Sequence, residues 1–129
     1  RLAGMHVLCI DNEPAILDGM RALLQGWSCQ VSVAADIASA ERLIIAADEP
    51  VDLVLADYRL ARGETGIEAM NALRQLVDYP LPGVLITADQ APLVRELARV
   101  HGYQFLAKPV RPAVLRAILD ATSQRVRVS

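Results

Sequence analysis

The stretch Val51-Asp52-Leu53-Val54-Leu55-Ala56-Asp57 constrains the fold of this chain more than any other. Leu53 to Ala56 form an uninterrupted apolar run between Pro50 and the Arg62-Gly63 pair, so they read as a short strand buried on both faces. Such strands belong to parallel sheets with helices packed on either side. A carboxylate, Asp57, closes the run. In an open parallel sheet ligands gather beyond the carboxyl ends of the strands, which is where this residue falls. Taken alone, a strand-end aspartate that caps or solvates a loop is the ordinary reading, and only matching groups from other strand ends reverse it.

Four more segments read as strands: Met5 to Ile10, Cys29 to Val33, Gly83 to Ile86 ending at Thr87, and Tyr103 to Ala107 ending in Lys108-Pro109. Helical spacing fills the gaps. Pro14 suits a first turn, Ile16, Met20, Leu23, Leu24 and Trp27 recur on one side, and Gly26 can supply a left-handed stop. Asp36 can cap a helix bearing Ile37, Ala40, Leu43, Ile44 and Ala47. Thr65 and Glu68 fit a capping box for a helix that buries Ile67, Met70, Leu73 and Val77. Asp89 can cap the next, with Leu93, Val94, Leu97 and Val100 as its apolar stripe and Gly102 as its stop. Pro112 opens the last, with Val114, Leu115, Ile118 and Leu119 inward and a frayed tail from Gln124. His6 lies at the start of its strand and reads as structural, and Trp27 reads as a packing residue.

This alternation predicts an α/β fold: a doubly wound, five-stranded parallel sheet in the order 2-1-3-4-5. Right-handed crossovers then place every strand's carboxyl end on one edge. With 129 residues and 53% hydrophobic content there is one core to fill. We expect a linker remnant at 1–4, one folded domain at 5–122 and a tail at 123–129. A first residue that is Arg rather than Met suggests a domain taken from a longer chain.

A net charge of −2 offers no basic field for nucleic acid or an anionic membrane. No apolar run approaches the ~20 residues that cross a bilayer, and no secretory leader opens the chain. Cys9 and Cys29 sit in strand-like contexts without ligand spacing, as small buried hydrophobes of a reducing compartment, which argues against zinc. A cytoplasmic location is therefore expected, either free or as the cytoplasmic part of a membrane-associated protein.

On the shared sheet edge the polar groups converge. The first strand delivers Asp11, Asn12 and Glu13, the third Asp57, the fourth the Thr87 hydroxyl and the fifth Lys108. Neighbouring carboxylates repel unless a cation joins them, and hard oxygen donors of this kind suit Mg²⁺. A carboxylate, an ammonium, a hydroxyl and a divalent ion together equip a site for phosphoryl transfer.

The segments Ile10-Asp11-Asn12-Glu13-Pro14, Leu55-Ala56-Asp57-Tyr58-Arg59-Leu60, Ile86-Thr87-Ala88 and Phe105-Leu106-Ala107-Lys108-Pro109 occur in that order, each at a strand's end. Through them nearly the whole chain resembles the CheY-like receiver domains of two-component response regulators. The resemblance implies that Asp57 accepts a phosphoryl group from a phosphohistidine on a histidine kinase or histidine phosphotransfer domain. It implies a Mg²⁺ site made by Asp11, Asp57 and the Arg59 main-chain carbonyl, with Asn12 contributing weakly or through water. It further implies that Thr87 and Lys108 contact the phosphoryl oxygens, that Ala88 leaves the group accessible, and that Lys108-Pro109 is cis. Phe105 matches an aromatic switch that turns inward with Thr87 and remodels the face of the fourth helix, fifth strand and fifth helix for a downstream protein.

The chain departs from the family pattern at three places. Asn12 replaces the second of two adjacent acids, which predicts weaker Mg²⁺ binding. Leu60-Ala61 replaces the usual Met-Pro in a loop one residue longer. Phe105 lacks the hydroxyl of the commoner tyrosine. A degenerate receiver that docks partners without efficient phosphorylation is therefore the alternative. An aspartyl-nucleophile phosphatase of the haloacid-dehalogenase type would want an acid where Arg59 stands, and a flavodoxin-like FMN carrier would not place Asp11-Asn12-Glu13 in its phosphate loop. The entry Leu2-Ala3-Gly4-Met5-His6-Val7-Leu8 and the Asp57-to-Gly66 loop look like the receiver module of a hybrid sensor histidine kinase, with a stand-alone regulator as the alternative. As an isolated domain it would catalyse only its own phosphorylation and dephosphorylation.

Overall fold

Each strand stops where its apolar run stops. In the computed structural model, which describes residues 2–88 and 92–128 (side chains to 125), β1 is His6–Ile10, β2 Gln30–Ala34, β3 Leu53–Asp57, β4 Gly83–Thr87 and β5 Gln104–Ala107. Between and after them lie α1 (Pro14–Gly26), α2 (Ile37–Ala46), α3 (Gly66–Leu76), α4 (Pro92–Val100) and α5 (Pro112–Val128). The strands are all parallel, in the order β2-β1-β3-β4-β5. This is the doubly wound order that the alternation predicts.

The continuous apolar runs are explained by two cores. Leu8 and Ile10 of β1 and Val54 and Ala56 of β3 face one side, where Ala40, Ile44, Met70, Leu73, Val94 and Ala98 cover them. Val7, Cys9, Leu53 and Leu55 face the other, against Leu17, Leu24, Leu115 and Leu119. Thus α2, α3 and α4 cover one face of the sheet and α1 and α5 the other, so every residue of β1, β3 and β4 is buried. Two predicted caps form. Asp36 accepts the Ser39 N–H, and the Thr65 hydroxyl and the Glu68 carboxylate each accept the other residue's main-chain N–H.

Register places the site. Ile10 pairs with Ala56 and Thr87 with Ala107, so Asp11 and Asp57 leave adjacent strands side by side and Lys108 emerges just past Thr87.

Several sequence expectations shift. In α1 the buried residues are Leu17 and Leu24, while Ile16 is 38% exposed. The left-handed residue after that helix is Ser28, with φ 67°, and not Gly26. In α4 the buried pair is Val94 and Ala98, and Leu93 and Val100 remain 68% and 64% exposed. That helix meets the sheet on a narrow face, turned about one residue from the expected stripe. The expected frayed tail continues as helix to Val128, and Leu2, expected in a linker, is buried. Asp89, expected to cap α4, lies outside the described residues.

Candidate functional site

The site begins with two carboxylates that the sheet forces together. Asp11, directly after β1, is 5% exposed, and Asp57, the last residue of β3, is 8% exposed. One Asp11 oxygen accepts the Glu13 main-chain N–H at 2.9 Å, which fixes the carboxyl in the β1–α1 turn. The other lies 3.5 Å from Lys108 Nζ, and Asp57 Oδ2 lies 3.4 Å from the same nitrogen. Lys108 is delivered by β5, whose end is tied to β4 where the Lys108 N–H donates to the Thr87 carbonyl at 2.9 Å. The Lys108-Pro109 peptide is cis.

One ammonium between two buried carboxylates leaves a surplus of negative charge. Burial, and next the charge of Asp11, push the Asp57 carboxyl above its ordinary value; Lys108 and the Arg59 N–H work against this without cancelling it. For Lys108, burial pulls downward, but Asp11 and Asp57 outweigh it and hold the ammonium above its ordinary value. Asp57 is thus a carboxylate whose charge is incompletely matched, and Lys108 is held in its cationic form.

The loop after β3 completes the near wall. Arg59 forms an isolated antiparallel bridge with Thr65, but its hydrogen bonds run from Leu60 N–H to Glu64 O and from Gly66 N–H to Tyr58 O. Arg59's own main chain is therefore not used by the bridge, and its N–H donates to the Asp57 carboxylate. Gly66 permits the close return of this loop: a Cβ there would collide with the Asp57 carbonyl oxygen.

The remaining sequence candidates divide into two groups. Thr87 is 1% exposed at the end of β4, in line with the edge that carries Asp57. Phe105 stands further back on β5, half-buried against the α2–α4 core, with the Arg95 guanidinium 4.8 Å from its ring centroid. Asn12, Glu13 and Ala88 are exposed at the rim, and Glu13 joins through its main chain only. Sequence reasoning missed a cleft of about 560 Å³ that runs from the carboxylates along α1. Ala15, Ile16, Gly19, Met20, Pro109 and Val110 line it, with Asp11, Asp57 and Lys108 at its end. The exposed face of α1 was its only signal.

Among the described residues no group of three or more His, Cys, Asp or Glu side chains is arranged to hold a metal. The two carboxylates, with a single ammonium between them, carry a surplus negative charge, and this fits a hard divalent ion that takes one or two carboxylates and completes its shell with water.

A doubly wound parallel sheet that carries paired acids, a buried threonine and a lysine at its carboxyl edge is the arrangement of a receiver-type signalling module. A family model described as response regulator receiver domain matches residues 7–120, so the chain belongs to the response regulator receiver domains of two-component signalling. It is 32% identical over 116 residues to the Phyllosphere-induced regulator PhyR of Methylorubrum extorquens, covering 89% of this chain and 42% of that protein. It is 28% identical over 120 residues to Hybrid signal transduction histidine kinase C of Dictyostelium discoideum, covering 92% of this chain but 10% of the kinase. The fold matches Vibrio cholerae chemotaxis protein CheY4 with a TM-score of 0.82 at 25% identity, over 93% of this chain and 99% of that one. The chain therefore spans less than half the length of these two curated relatives.

Proposed function

We propose that this domain takes a phosphoryl group onto Asp57 from a phosphohistidine on a histidine kinase or histidine phosphotransfer domain. The observation that carries the reading is the single Lys108 ammonium 3.4 Å from Asp57 and 3.5 Å from Asp11. An Asp57 oxygen attacks phosphorus, the P–N bond to the donor imidazole breaks, and the imidazole leaves with the electron pair. Lys108 then pairs with the phosphoryl oxygens, and Thr87, at the same edge, donates its hydroxyl to one of them. Asp11, Asp57, the Arg59 carbonyl and, through water, Asn12 would hold Mg²⁺. When bound, that ion neutralises charge on the transferring group. The small side chain of Ala88 at the rim leaves room for donor and water. The apolar cleft beside α1 opens onto Asp57, which suits a donor helix that must bring its histidine to this carboxylate.

Output would follow from Thr87 drawing toward the phosphoryl group and Phe105 moving into the space vacated. That would alter the α4–β5–α5 face for a downstream protein. This reading needs no contact with nucleic acid or membrane by the domain itself. Among the described residues no helix is long and apolar enough to cross a membrane. The similarity to a hybrid kinase supports placement within such a kinase, and the similarity to PhyR supports a separate regulator.

One observation favours a second reading, a receiver that docks partners without efficient phosphorylation: Asn12 stands exposed where the family carries an acid. A small phosphodonor with Mg²⁺ separates the two. Wild-type protein should gain the mass of one phosphate and Asp57→Asn should not. A wild-type mass unchanged with both small donor and cognate kinase contradicts phosphorylation and leaves docking.

A further inference from the structure

The loop that presents Arg59 to Asp57 is fastened at its far end to a different helix. Ala61–Gly63 form a 3₁₀ turn in which Arg62 has φ 58°, a left-handed conformation that favours glycine or asparagine. From there the Arg62 guanidinium reaches Asp36, the N-cap of α2, at 3.1 Å. Two residues on, Glu64 Oε1 accepts the main-chain N–H of Ile37, the first residue of α2, at 3.3 Å. The Glu64 main chain is itself locked into the loop, accepting from Leu60 N–H and donating to the Ala61 carbonyl. A carboxylate on the first N–H of a helix and a guanidinium on its capping aspartate form a two-point brace.

We infer that Arg62 and Glu64 are positioning residues, which anchor the β3–α3 loop on the first turn of α2 so that the Arg59 main chain meets the Asp57 carboxylate. The inference deepens the phosphorylation reading and rests on it for its consequence, though the brace exists without it. The longer loop explains the need. An extra residue between Asp57 and Gly66 adds freedom to the segment carrying Arg59, and ties at both ends remove it. A left-handed arginine is costly to hold, so its side chain is expected to contribute where glycine would be easier.

The test uses the intact chain with Glu64→Ala, Glu64→Gln, Arg62→Gly and Arg62→Lys. Without metal or donor, Arg59 amide exchange should quicken roughly tenfold in Glu64→Ala, the lower end of the scale of one lost hydrogen bond to a charged group. It should return to the wild-type rate in Glu64→Gln, whose amide oxygen still accepts from Ile37. With donor, the Mg²⁺ concentration for half-maximal phosphorylation should rise by roughly threefold in Arg62→Gly, the scale of one exposed ion pair, and less in Arg62→Lys. This should occur although glycine relieves the backbone strain and leaves the thermal midpoint at or above wild type. Unchanged Arg59 exchange in Glu64→Ala, or failure of Glu64→Gln to restore it, overturns the brace. An unchanged Mg²⁺ requirement in Arg62→Gly overturns the role of Arg62. If wild-type protein accepts no phosphoryl group, the phosphorylation reading fails, while amide exchange still decides the brace.

Discussion

At the amino end of the sheet, His6 is 3% exposed and both ring nitrogens are engaged. Nδ1 lies 3.1 Å from the Glu49 carbonyl and Nε2 2.8 Å from the Ser32 hydroxyl. The carbonyl can only accept, so Nδ1 donates to it, and Nε2 is paired with the Ser32 hydroxyl. Asp52 accepts the His6 N–H at 2.9 Å and returns its own N–H to the His6 carbonyl at 2.8 Å. At the carboxyl end, Asp57 is 8% exposed and shares one lysine with a second carboxylate. At the amino end the buried imidazole has both of its nitrogens paired. At the carboxyl end two buried carboxylates share one ammonium, so negative charge is in excess there. Burial is common to both ends, and the excess of charge sets the carboxyl end apart as the candidate site.

Substitutions should distinguish the two ends. The largest effect is expected for His6→Ala, which leaves a cavity and strips the partner from Ser32 and Glu49. Chemical denaturation should show a loss of about 3 kcal/mol, with no gain of any function. Lys108→Met comes next, because two carboxylates then face each other with no ammonium; a loss of about 2 kcal/mol at neutral pH is expected, recovered on mild acidification as one carboxyl takes a proton. The smallest and most telling change is Asp57→Asn, expected to stabilise the fold by about 1 kcal/mol by leaving one lysine for one carboxylate. The sign follows from the raised Asp57 value. The folded protein binds that proton more readily than the unfolded chain, so stability falls as pH rises from the ordinary value of 3.8 through the folded one. The advantage of Asp57→Asn should therefore be present at neutral pH and fade in acid. A destabilised Asp57→Asn protein would erase the contrast between the two ends.

Much of this was readable before the structure. The five strands and the polar residues Asp11, Asp57, Thr87 and Lys108 at their ends follow from apolar runs, a local signal, whereas the order 2-1-3-4-5 follows from the doubly wound topology that sets strands one and three side by side at the switch point. The helix faces were less legible. In α1 and α4 apolar residues outnumber the positions that the sheet can cover, so Ile16, Leu93 and Val100 stay in solvent while Leu17 and the small Ala98 are buried. Ser28 took the left-handed position beside Gly26 because the helix ran through the glycine. Contacts between distant segments left no local trace at all. Arg62 to Asp36 and Glu64 to Ile37 join residues 26 and 27 apart in sequence, and only the packing of α3 beside α2 brings them within reach.

The central claim is that Asp57, and no other carboxylate, receives the phosphoryl group. Borohydride reduction of protein treated with phosphodonor and Mg²⁺ converts an aspartyl phosphate to homoserine, which peptide mass spectrometry then locates. Homoserine is expected at position 57 in wild-type protein and none in Asp57→Asn. Homoserine at position 11, or a reduced glutamyl phosphate at Glu13 with residue 57 intact, would contradict it.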